Sequence, residues 1–331
     1  MKTQLTFSSA VLEIDASSEA ARIEKSIQEI VFSRVKRKGV VLGLSGGIDS
    51  SVAAALCVRS MGPERVLGIL MPEAESSAES SRLGYVIADF LGIRAILEDI
   101  TPLLEASGCY NRRDDAIRTV IPEYGPGYKC KIVLPNLVDS PAYPLYSVVA
   151  ESPAGVRTRA RLNAEAYQAI VAASNFKQRT RKMIEYYHAD RLRYAVVGTP
   201  NLLEYDQGFF VKNGDGAADL KPIAHLYKTQ VYQLAQYLGI PREIQERQPT
   251  TDTYSLHQSQ EEFYFALSYD KLDLCLYGRN HDIPTAEVAA ATDLTIEQTE
   301  RIYSVIDSKR RVTRYQHMEP LLVEEVSEGP S

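Results

Sequence analysis

The stretch GVVLGLSGGIDSSVAAAL, residues 39–56, joins an apolar run to a glycine-rich turn and then to a series of small residues. The apolar run predicts a buried β-strand, and residues 51–61 predict a helix that follows it. Because a helix N terminus carries free amide groups and the positive end of the helix dipole, the turn predicts an anion-binding site. The turn supplies two glycines, which let an oxyanion approach the main chain, and three hydroxyl donors: Gly46, Gly47, Ser45, Ser50 and Ser51.

An acidic residue in the same turn, Asp49, limits the kinds of anion that could bind there. A Walker A loop is excluded because its G-x-x-x-x-G-K-[ST] pattern and its lysine are absent from this turn. A carboxylate repels bound phosphates unless a divalent cation joins the two, so Asp49 predicts Mg²⁺ at this turn. The alternative is an ordinary glycine-rich turn in which Asp49 only caps the helix.

The segments around this turn predict an α/β fold. Residues 65–72 and 94–100 predict two further buried strands, with helices between the three strands. This β-α-β-α-β order predicts a parallel sheet with helical crossovers, and residues 194–201 add another buried strand after a long helix. We therefore expect one domain over residues 1–331, doubly wound, with a mainly parallel sheet and helices on both of its faces.

Two segments depart from this regular pattern. Residues 104–156 are rich in proline, glycine and tyrosine, and their stretches 129–137 and 145–152 predict the strands of a hairpin. We interpret this segment as an insertion that acts as a lid. Residues 249–265 predict a second mobile loop, which would help to exclude water from the site.

Composition and charge limit the classes of function. The formal net charge of −6 argues against a general nucleic-acid coat and against binding to an anionic membrane surface. The four cysteines are scattered without C-x-x-C spacing, so neither a zinc site nor a disulfide framework is indicated. The N terminus lacks the apolar core of a signal peptide, and no apolar run is long enough to span a membrane. We expect a cytoplasmic protein with reduced thiols.

The motif SGGIDSS, residues 45–51, resembles the SGGxDS PP-loop of the N-type ATP pyrophosphatases, which split ATP into AMP and pyrophosphate. Later motifs resemble those of the NAD synthases in their order and spacing. They are N-x-[KQ]-x-R-x-R (Asn175, Lys177, Arg179 and Arg181), GTPNLLE (198–204), GFFVKNGDGAAD (208–219), PIAHLYKTQV (222–231) and PTTD (249–252). The resemblance extends from Gly39 to about Lys309 and implies the α/β fold of the PP-loop ATPases, also described as adenine nucleotide alpha hydrolase-like.

The resemblance also implies roles for particular residues, and their chemistry suits those roles. It implies that Mg²⁺ is held by Asp49, Glu204 and Thr250. It implies ATP contacts at Ser45, Gly46, Gly47, Asp49, Ser50, Arg179, Thr199, Lys228 and Thr250. It implies acceptor contacts at Asn175, Lys212, Asp215 and Asp219, and catalytic roles for Asp49, Lys212, Asp215 and Lys228. Arg179 and Arg181 are two residues apart on a helix, so one should reach ATP while the other makes structural contacts.

The implied activity is ATP-dependent amide formation. A carboxylate attacks the α-phosphorus of ATP to give an acyl-adenylate and pyrophosphate, and ammonia then displaces AMP. The expected acceptor is nicotinate adenine dinucleotide, which would give NAD. The alternatives are another carboxylate, such as a sugar uronate or a natural-product acid, and an inactive nucleotide-binding module. They stay open because three segments near the acceptor depart from the family pattern: residues 104–156, Thr251, and the stretch QSQEEFYF, Gln258–Phe265.

The resemblance implies partners as well. The 38 residues before Gly39 contain no cysteine, so we expect free ammonia, or ammonia from a separate glutaminase, as the nitrogen donor. Family members are homodimers, and we expect a homodimer here. The sequence further predicts that Asp49→Asn abolishes pyrophosphate release and leaves the melting temperature nearly unchanged.

Overall fold

The computed structural model describes residues 7–133, 146–250, 253–256 and 267–324. Thr251 and the stretch Gln258–Phe265 lie outside the described residues, as does part of the 104–156 segment. The expectations that the sequence raised for those residues therefore stay predictions.

The described residues form two sheets surrounded by helices. The strands are β1 (Val40–Gly43), β2 (Val66–Leu70), β3 (Arg94–Leu97), β4 (Lys129–Val133), β5 (Ser147–Glu151), β6 (Arg157–Arg161) and β7 (Ala195–Val196). The α-helices are α1 (Ala16–Gln28), α2 (Ile48–Met61), α3 (Ala78–Leu91), α4 (Thr101–Ala106), α5 (Cys109–Arg118), α6 (Ala164–Leu192), α7 (Leu202–Gln207), α8 (Lys228–Tyr237), α9 (Arg242–Gln245), α10 (Tyr269–Asn280), α11 (Thr285–Thr292) and α12 (Ile296–His317). Within the described ranges, none of these helices combines the length and the apolar character needed to cross a membrane.

The main sheet has four parallel strands in the order β3-β2-β1-β7. The chain moves outward from β1 through β2 to β3 and later returns to place β7 on the opposite side of β1. Ligands of open α/β sheets bind outside the carboxyl ends of the strands, where the direction of winding changes. The glycine-rich turn follows β1 at this point, and the predicted doubly wound parallel fold is confirmed.

Helices cover both faces of the main sheet. On one face α2 packs closely because its small residues, including Ala53 and Ala54, are fully buried. On the other face α6, which is 29 residues long, places Ala189 in a cluster with Val41 and Ile69 of the sheet. Strands buried on both faces need apolar side chains throughout, which is why residues 40–42 form a continuous apolar run.

The 104–156 segment contributes to a second, antiparallel sheet in the order β4-β5-β6. Strands β4 and β5 fall within the two stretches that predicted a hairpin. β6 was not predicted, because its sequence RTRAR has no apolar face and its alternate side chains are exposed. Helix α5 also lies within the segment, and it was not predicted from the sequence. That the segment acts as a lid stays a prediction.

Candidate active site

A cavity of about 990 Å³ opens at the carboxyl ends of β1 and β2. Its walls come from the turn after β1, the end of β2, one face of α6, the helix α12 and the loops at residues 197–200, 208–215 and 247–250. The predicted site residues that line it are Ser45, Gly47, Asp49, Ser50, Asn175, Thr199, Glu204, Asp215 and Thr250. The cavity therefore joins the turn after β1 to part of the predicted acceptor set.

The turn after β1 is shaped by a glycine in the left-handed region. Gly46 has a φ of 69°, and a Cβ atom there would lie 2.7 Å from the Ser80 carbonyl oxygen. The Gly47 carbonyl accepts hydrogen bonds from the hydroxyls of Ser50 and Ser51, at 3.0 and 2.8 Å. Ser51, which the sequence predicted as an anion donor, is fully buried and directed to the main chain instead. The amide groups in the first turn of α2 have no partner within the helix and are suited to bind an anion, so anion binding at this turn stays a prediction.

Asp49 and Glu204 are brought together by one buried asparagine. The side-chain amide of Asn201 donates to Asp49 Oδ1 at 3.0 Å, and its main-chain amide donates to Glu204 Oε2 at 3.1 Å. Asn201 Oδ1 also accepts the Glu204 main-chain amide at 3.1 Å, which completes a capping box at the start of α7. Both carboxylates thus lie at the same edge of the main sheet. No role was predicted for Asn201 from the sequence, although it belongs to the motif GTPNLLE.

Asp49, Glu204 and Thr250 line the same cavity and offer oxygen ligands for a cation. In the part of the chain that the structure describes, no group of three or more histidine, cysteine, aspartate or glutamate side chains is placed to hold a metal. Mg²⁺ commonly takes one or two carboxylates and fills its other positions with phosphate oxygens and water. The two carboxylates therefore fit Mg²⁺ bound together with a nucleotide, and their assignment to the metal stays a prediction.

Lys228 lies behind Asp49 and is not part of the cavity wall. Its side chain is fully buried, and its ammonium group forms an ion pair with Asp49 Oδ2. Burial alone would lower the pKa of Lys228, but the carboxylates of Asp49 and Glu204 outweigh burial and raise it. Lys228 therefore fixes the orientation of Asp49 and compensates its charge. The direct contact of Lys228 with ATP stays a prediction.

The helix that begins at Lys228 donates a main-chain hydrogen bond to a buried carboxyl group. The buried carboxyl group predicts that the stability of the protein depends on pH. Asp273 Oδ2 accepts the Thr229 amide at 2.8 Å, and burial raises the pKa of Asp273 from 3.8 to about 6. Between these two pKa values the folded protein binds a proton that the unfolded chain releases, so the contribution of Asp273 to stability falls as pH rises through this window. We expect Asp273→Asn, which keeps an acceptor without a charge, to raise the melting temperature by roughly 5 °C at about pH 7.5. At about pH 4 the side chain at position 273 is uncharged in the folded state of both the wild type and the variant. The substitution should therefore change the melting temperature little at that pH.

The exposed Asp270 on the same helix, α10, provides a matched control for this prediction. Asp270→Asn removes only the interaction of an exposed carboxylate with the dipole of α10, worth about 0.3–1 kcal/mol. It should therefore change the melting temperature, followed by circular dichroism, by no more than about 2 °C at either pH. A lower melting temperature for Asp273→Asn near neutral pH would mean that an ionised Asp273 stabilises α8, contrary to this account.

One face of α6 forms a long wall of the cavity, and it separates the two predicted arginines. Arg181 lines the cavity and donates from Nε to the Met71 carbonyl at 3.3 Å. Arg179 is exposed and donates from Nε to the Lys212 carbonyl at 3.3 Å. The structure thus brings Arg181, and not Arg179, into the cavity wall. The assignment of Arg179 to ATP stays a prediction.

The two predicted aspartates of the loop at residues 208–219 lie in different places. Asp215 lines the cavity, its Oδ1 accepts the Val211 amide at 2.7 Å, and burial raises the pKa of its carboxyl group. Asp219 is exposed outside the cavity lining, and its Oδ2 accepts the Val196 amide at 2.7 Å. Asp219 therefore ties the loop to β7, and its contact with the acceptor stays a prediction.

Lys212 lies beside the C terminus of α12, outside the cavity lining. Its Nζ donates to the carbonyl oxygens of Tyr315 and Met318 at 3.1 and 2.8 Å, and it lies 4.3 Å from the centroid of the Tyr315 ring. A lysine at a helix C terminus satisfies free carbonyls and interacts favourably with the helix dipole. Lys212 thus fastens its loop to α12 in this structure, and its part in catalysis stays a prediction.

A sequence model of the NAD synthase family matches residues 19–119 and 151–315, which is most of the chain. The chain belongs to the NAD synthase family. The resemblance that the motifs indicated is therefore confirmed. The match leaves out residues 120–150, which include β4 and most of β5.

This member of the NAD synthase family is similar over nearly its whole length to proteins named NH(3)-dependent NAD(+) synthetase. The protein from Rhizobium meliloti is 54% identical over 327 residues, which cover 99% of this chain and 98% of the relative. The protein from Mesorhizobium japonicum is 56% identical over 318 residues, which cover 96% of this chain and 100% of the relative.

Two solved structures share the fold of this NAD synthase family member. NMN synthetase from Francisella tularensis superposes with a TM-score of 0.65 at 20% identity, over 94% of this chain and 99% of that one. NH3-dependent NAD synthetase from Campylobacter jejuni superposes with a TM-score of 0.62 at 22% identity, over 94% of this chain and 100% of that one.

The cavity of this NAD synthase family member also contains charged side chains that the motifs did not reveal. Lys182 and Glu185, both buried, form an ion pair at 2.5 Å, and burial raises the pKa of Glu185 although Lys182 opposes the shift. Arg247 donates to the Ser45 carbonyl at 3.2 Å and to the Ser80 hydroxyl at 2.7 Å, so it braces the turn. No sequence signal could identify them, because an (i, i+3) ion pair is common on solvated helices and Arg247 lies outside every motif.

Proposed function

We propose that this chain is an ammonia-dependent NAD synthase, which converts nicotinate adenine dinucleotide to NAD with ATP and ammonia and releases AMP and pyrophosphate. The observation that carries the proposal is a single cavity in which the PP-loop turn and two neighbouring carboxylates adjoin Asn175 and Asp215. The relatives named NH(3)-dependent NAD(+) synthetase support the choice of acceptor and nitrogen donor, because the similarity covers nearly their whole length.

In the first step the phosphates of ATP lie at the turn, and a carboxylate oxygen of the acceptor attacks the α-phosphorus. The bond from this phosphorus to the pyrophosphate oxygen breaks as the new bond forms. The main-chain amides at the start of α2 and the guanidinium group of Arg181 neutralise phosphate charge. Mg²⁺ held by Asp49, Glu204 and Thr250 would neutralise the charge of the departing pyrophosphate.

In the second step ammonia attacks the carbonyl carbon of the acyl-adenylate, and AMP leaves with one oxygen of the original carboxylate. The attacking nitrogen must lose a proton, so a base is needed beside it. We assign this role to Asp215, because it lines the cavity and burial raises the pKa of its carboxyl group toward the range of an effective base. The cavity walls must also exclude water, which would hydrolyse the adenylate.

The same proposal includes the expectations from the sequence about the metal, the partners, the location and the roles of individual residues. It retains Mg²⁺, a homodimer, a cytoplasmic location, and free ammonia or a separate glutaminase as the source of nitrogen. It also retains the roles assigned to the residues that lie outside the cavity lining, namely Gly46, Arg179, Lys212, Asp219 and Lys228. For Arg179, Lys212 and Asp219 these roles require a rearrangement of the contacts described above.

An acceptor screen with the purified protein tests the proposal. Each reaction contains ATP, Mg²⁺, ammonium chloride and one carboxylate: nicotinate adenine dinucleotide, nicotinate mononucleotide or a sugar uronate. The mononucleotide is included because a protein of the same fold carries the name NMN synthetase. Mass spectrometry detects the amide product, and a coupled enzymatic assay measures the pyrophosphate released.

We expect NAD from nicotinate adenine dinucleotide and no pyrophosphate in reactions that lack an acceptor. Glutamine in place of ammonium should support no reaction. Amidation of a different carboxylate, with none of nicotinate adenine dinucleotide, would overturn the proposed acceptor. Binding of ATP without pyrophosphate release from any mixture would instead identify a nucleotide-binding module.

A further inference from the structure

The cavity extends along one face of α6 for much of the length of that helix. The cavity-lining residues of α6 recur at helical spacing and therefore share one face: Tyr167, Val171, Ser174, Asn175, Gln178, Arg181, Lys182 and Glu185. Glu185 lies 18 positions after Tyr167, and a rise of 1.5 Å per residue makes the distance along the helix about 27 Å. The cavity is therefore long in one direction.

The two ends of this face adjoin different parts of the fold. A Cβ atom at Gly43 would lie 2.9 Å from Glu185 Oε1, so the Glu185 end adjoins the carboxyl end of β1 and the turn that follows it. The Tyr167 end adjoins the antiparallel sheet, because Tyr167 packs with β4 and β5 residues such as Ile132 and Val148. The phosphate-binding turn and the antiparallel sheet thus lie at opposite ends of the α6 wall.

The Tyr167 end carries a stack of two tyrosine rings. The rings of Tyr146 and Tyr167 have centroids 4.3 Å apart and planes 18° apart, and both residues line the cavity. Tyr146 lies just before β5, within residues 120–150, which the NAD synthase family model does not match. The stack is therefore partly built by a segment that lies outside the part of the chain matched by the family model.

The chemistry of this end differs from that of the turn. The cavity-lining residues that pack with the stack, Val171 and Tyr254, are uncharged, and Ser174 beside Tyr254 is also neutral. Aromatic side chains bind nucleobases by stacking, whereas phosphates require amide groups or cations. The uncharged aromatic surface therefore suits a planar base.

We propose that the Tyr146–Tyr167 stack binds the adenine base of the acceptor dinucleotide while its nicotinate end reaches the phosphates of ATP at the turn. This assignment rests on the proposed function, which supplies a dinucleotide as the acceptor. A dinucleotide has a second base that takes no part in the reaction, and the long cavity offers a separate aromatic surface for it. A mononucleotide acceptor lacks that base and gains nothing from the stack.

Substitution of Tyr146 tests the proposal through the affinity for each substrate. We expect Tyr146→Ala to raise KM for nicotinate adenine dinucleotide about 10-fold, the size typical of a lost base–aromatic stack, and to leave KM for ATP unchanged. Calorimetric binding of the dinucleotide alone should weaken by the same factor, and binding of nicotinate mononucleotide should not change. Tyr146→Phe, which keeps the ring, should retain most of the affinity.

Two further variants separate stacking from folding. Tyr146→Leu keeps an apolar side chain against the sheet without a π-face, so it should reproduce the KM effect in a well-folded protein. Tyr85→Ala removes an exposed tyrosine outside the cavity and should leave both KM values unchanged.

Three results would overturn the proposal. If Tyr146→Leu and Tyr146→Ala lower the melting temperature but leave the acceptor KM within twofold, the stack only packs the sheet onto α6, and the proposed function still stands. A raised KM for ATP instead would assign the stack to the adenine of ATP. If the wild-type protein makes no NAD from nicotinate adenine dinucleotide, the proposed function and the subsite are both wrong.

Discussion

Replacement of Asp49 by asparagine is expected to abolish pyrophosphate release and also to lower the melting temperature by several degrees. The loss of activity follows from the place of Asp49 in the cavity wall, beside the turn that we propose binds the phosphates of ATP. The loss of stability follows from Lys228, whose fully buried ammonium group pairs with Asp49. Breaking a buried ion pair on one side costs about 3 kcal/mol, because the remaining charge is left without compensation. Pyrophosphate assays and thermal unfolding measure the two effects separately.

A double variant separates the two effects of this substitution. Asp49→Asn combined with Lys228→Met removes both charges, so it should recover much of the melting temperature while pyrophosphate release stays abolished. Turnover like that of the wild type in Asp49→Asn would contradict the assignment of Asp49 to ATP and Mg²⁺. An unchanged melting temperature, which the sequence alone predicted, would contradict the ion pair as the reason that Lys228 is buried.

Replacement of Gly46 by alanine is expected to weaken ATP binding roughly 100-fold, because moving the turn would remove a hydrogen bond from a main-chain amide to a phosphate, worth about 1.5–3 kcal/mol. Gly46 has a φ of 69°, and a Cβ atom would lie 2.6 Å from Leu83 Cβ and 2.7 Å from the Ser80 carbonyl oxygen of α3. The turn therefore cannot keep its position against α3 once the side chain is present. Equilibrium binding of ATP to the purified variant measures the effect.

Gly92 provides the matched control for this substitution. It has a φ of 63°, close to that of Gly46, but a Cβ atom there would meet no heavy atom within 4 Å. Gly92→Ala should therefore lose about 1–2 kcal/mol of stability from the left-handed conformation and bind ATP normally. Equal losses of ATP affinity in both variants would show that the contact with α3 does not position the turn.

The elements whose residues are neighbours in the sequence could be predicted from the sequence. The continuous apolar run of β1, the glycines after it and the small residues of α2 predict a strand, a turn and a closely packed helix between Val40 and Met61. Strand β6 was missed because its polar sequence carries neither an apolar run nor an apolar alternation. Sequence patterns therefore predict elements that bury an apolar face. They do not predict strands that are held mainly by hydrogen bonds to neighbouring strands.

The site could be predicted only in part from the sequence, because its contacts join residues that lie far apart in the chain. Asp49 and Lys228 are 179 positions apart, and nothing in either motif indicates that they form a buried pair. Lys177 belongs to a family motif, yet its Nζ donates to Glu73, Glu75 and the Thr253 carbonyl at 2.7–2.9 Å, which uses all three of its protons within the protein. Spacing identifies the residue types of a site, whereas the fold decides which of them face the ligand.

Isotope transfer from the acceptor to AMP tests the central claim most directly. The reaction is run with ATP, Mg²⁺, ammonium and nicotinate adenine dinucleotide that carries ¹⁸O in both carboxylate oxygens, and the products are weighed by mass spectrometry. Attack of the carboxylate on the α-phosphorus predicts one ¹⁸O atom in AMP, one in the amide of NAD and none in pyrophosphate. Unlabelled AMP, or ADP and phosphate as products, would contradict adenylation of the acceptor and with it the function proposed for this site.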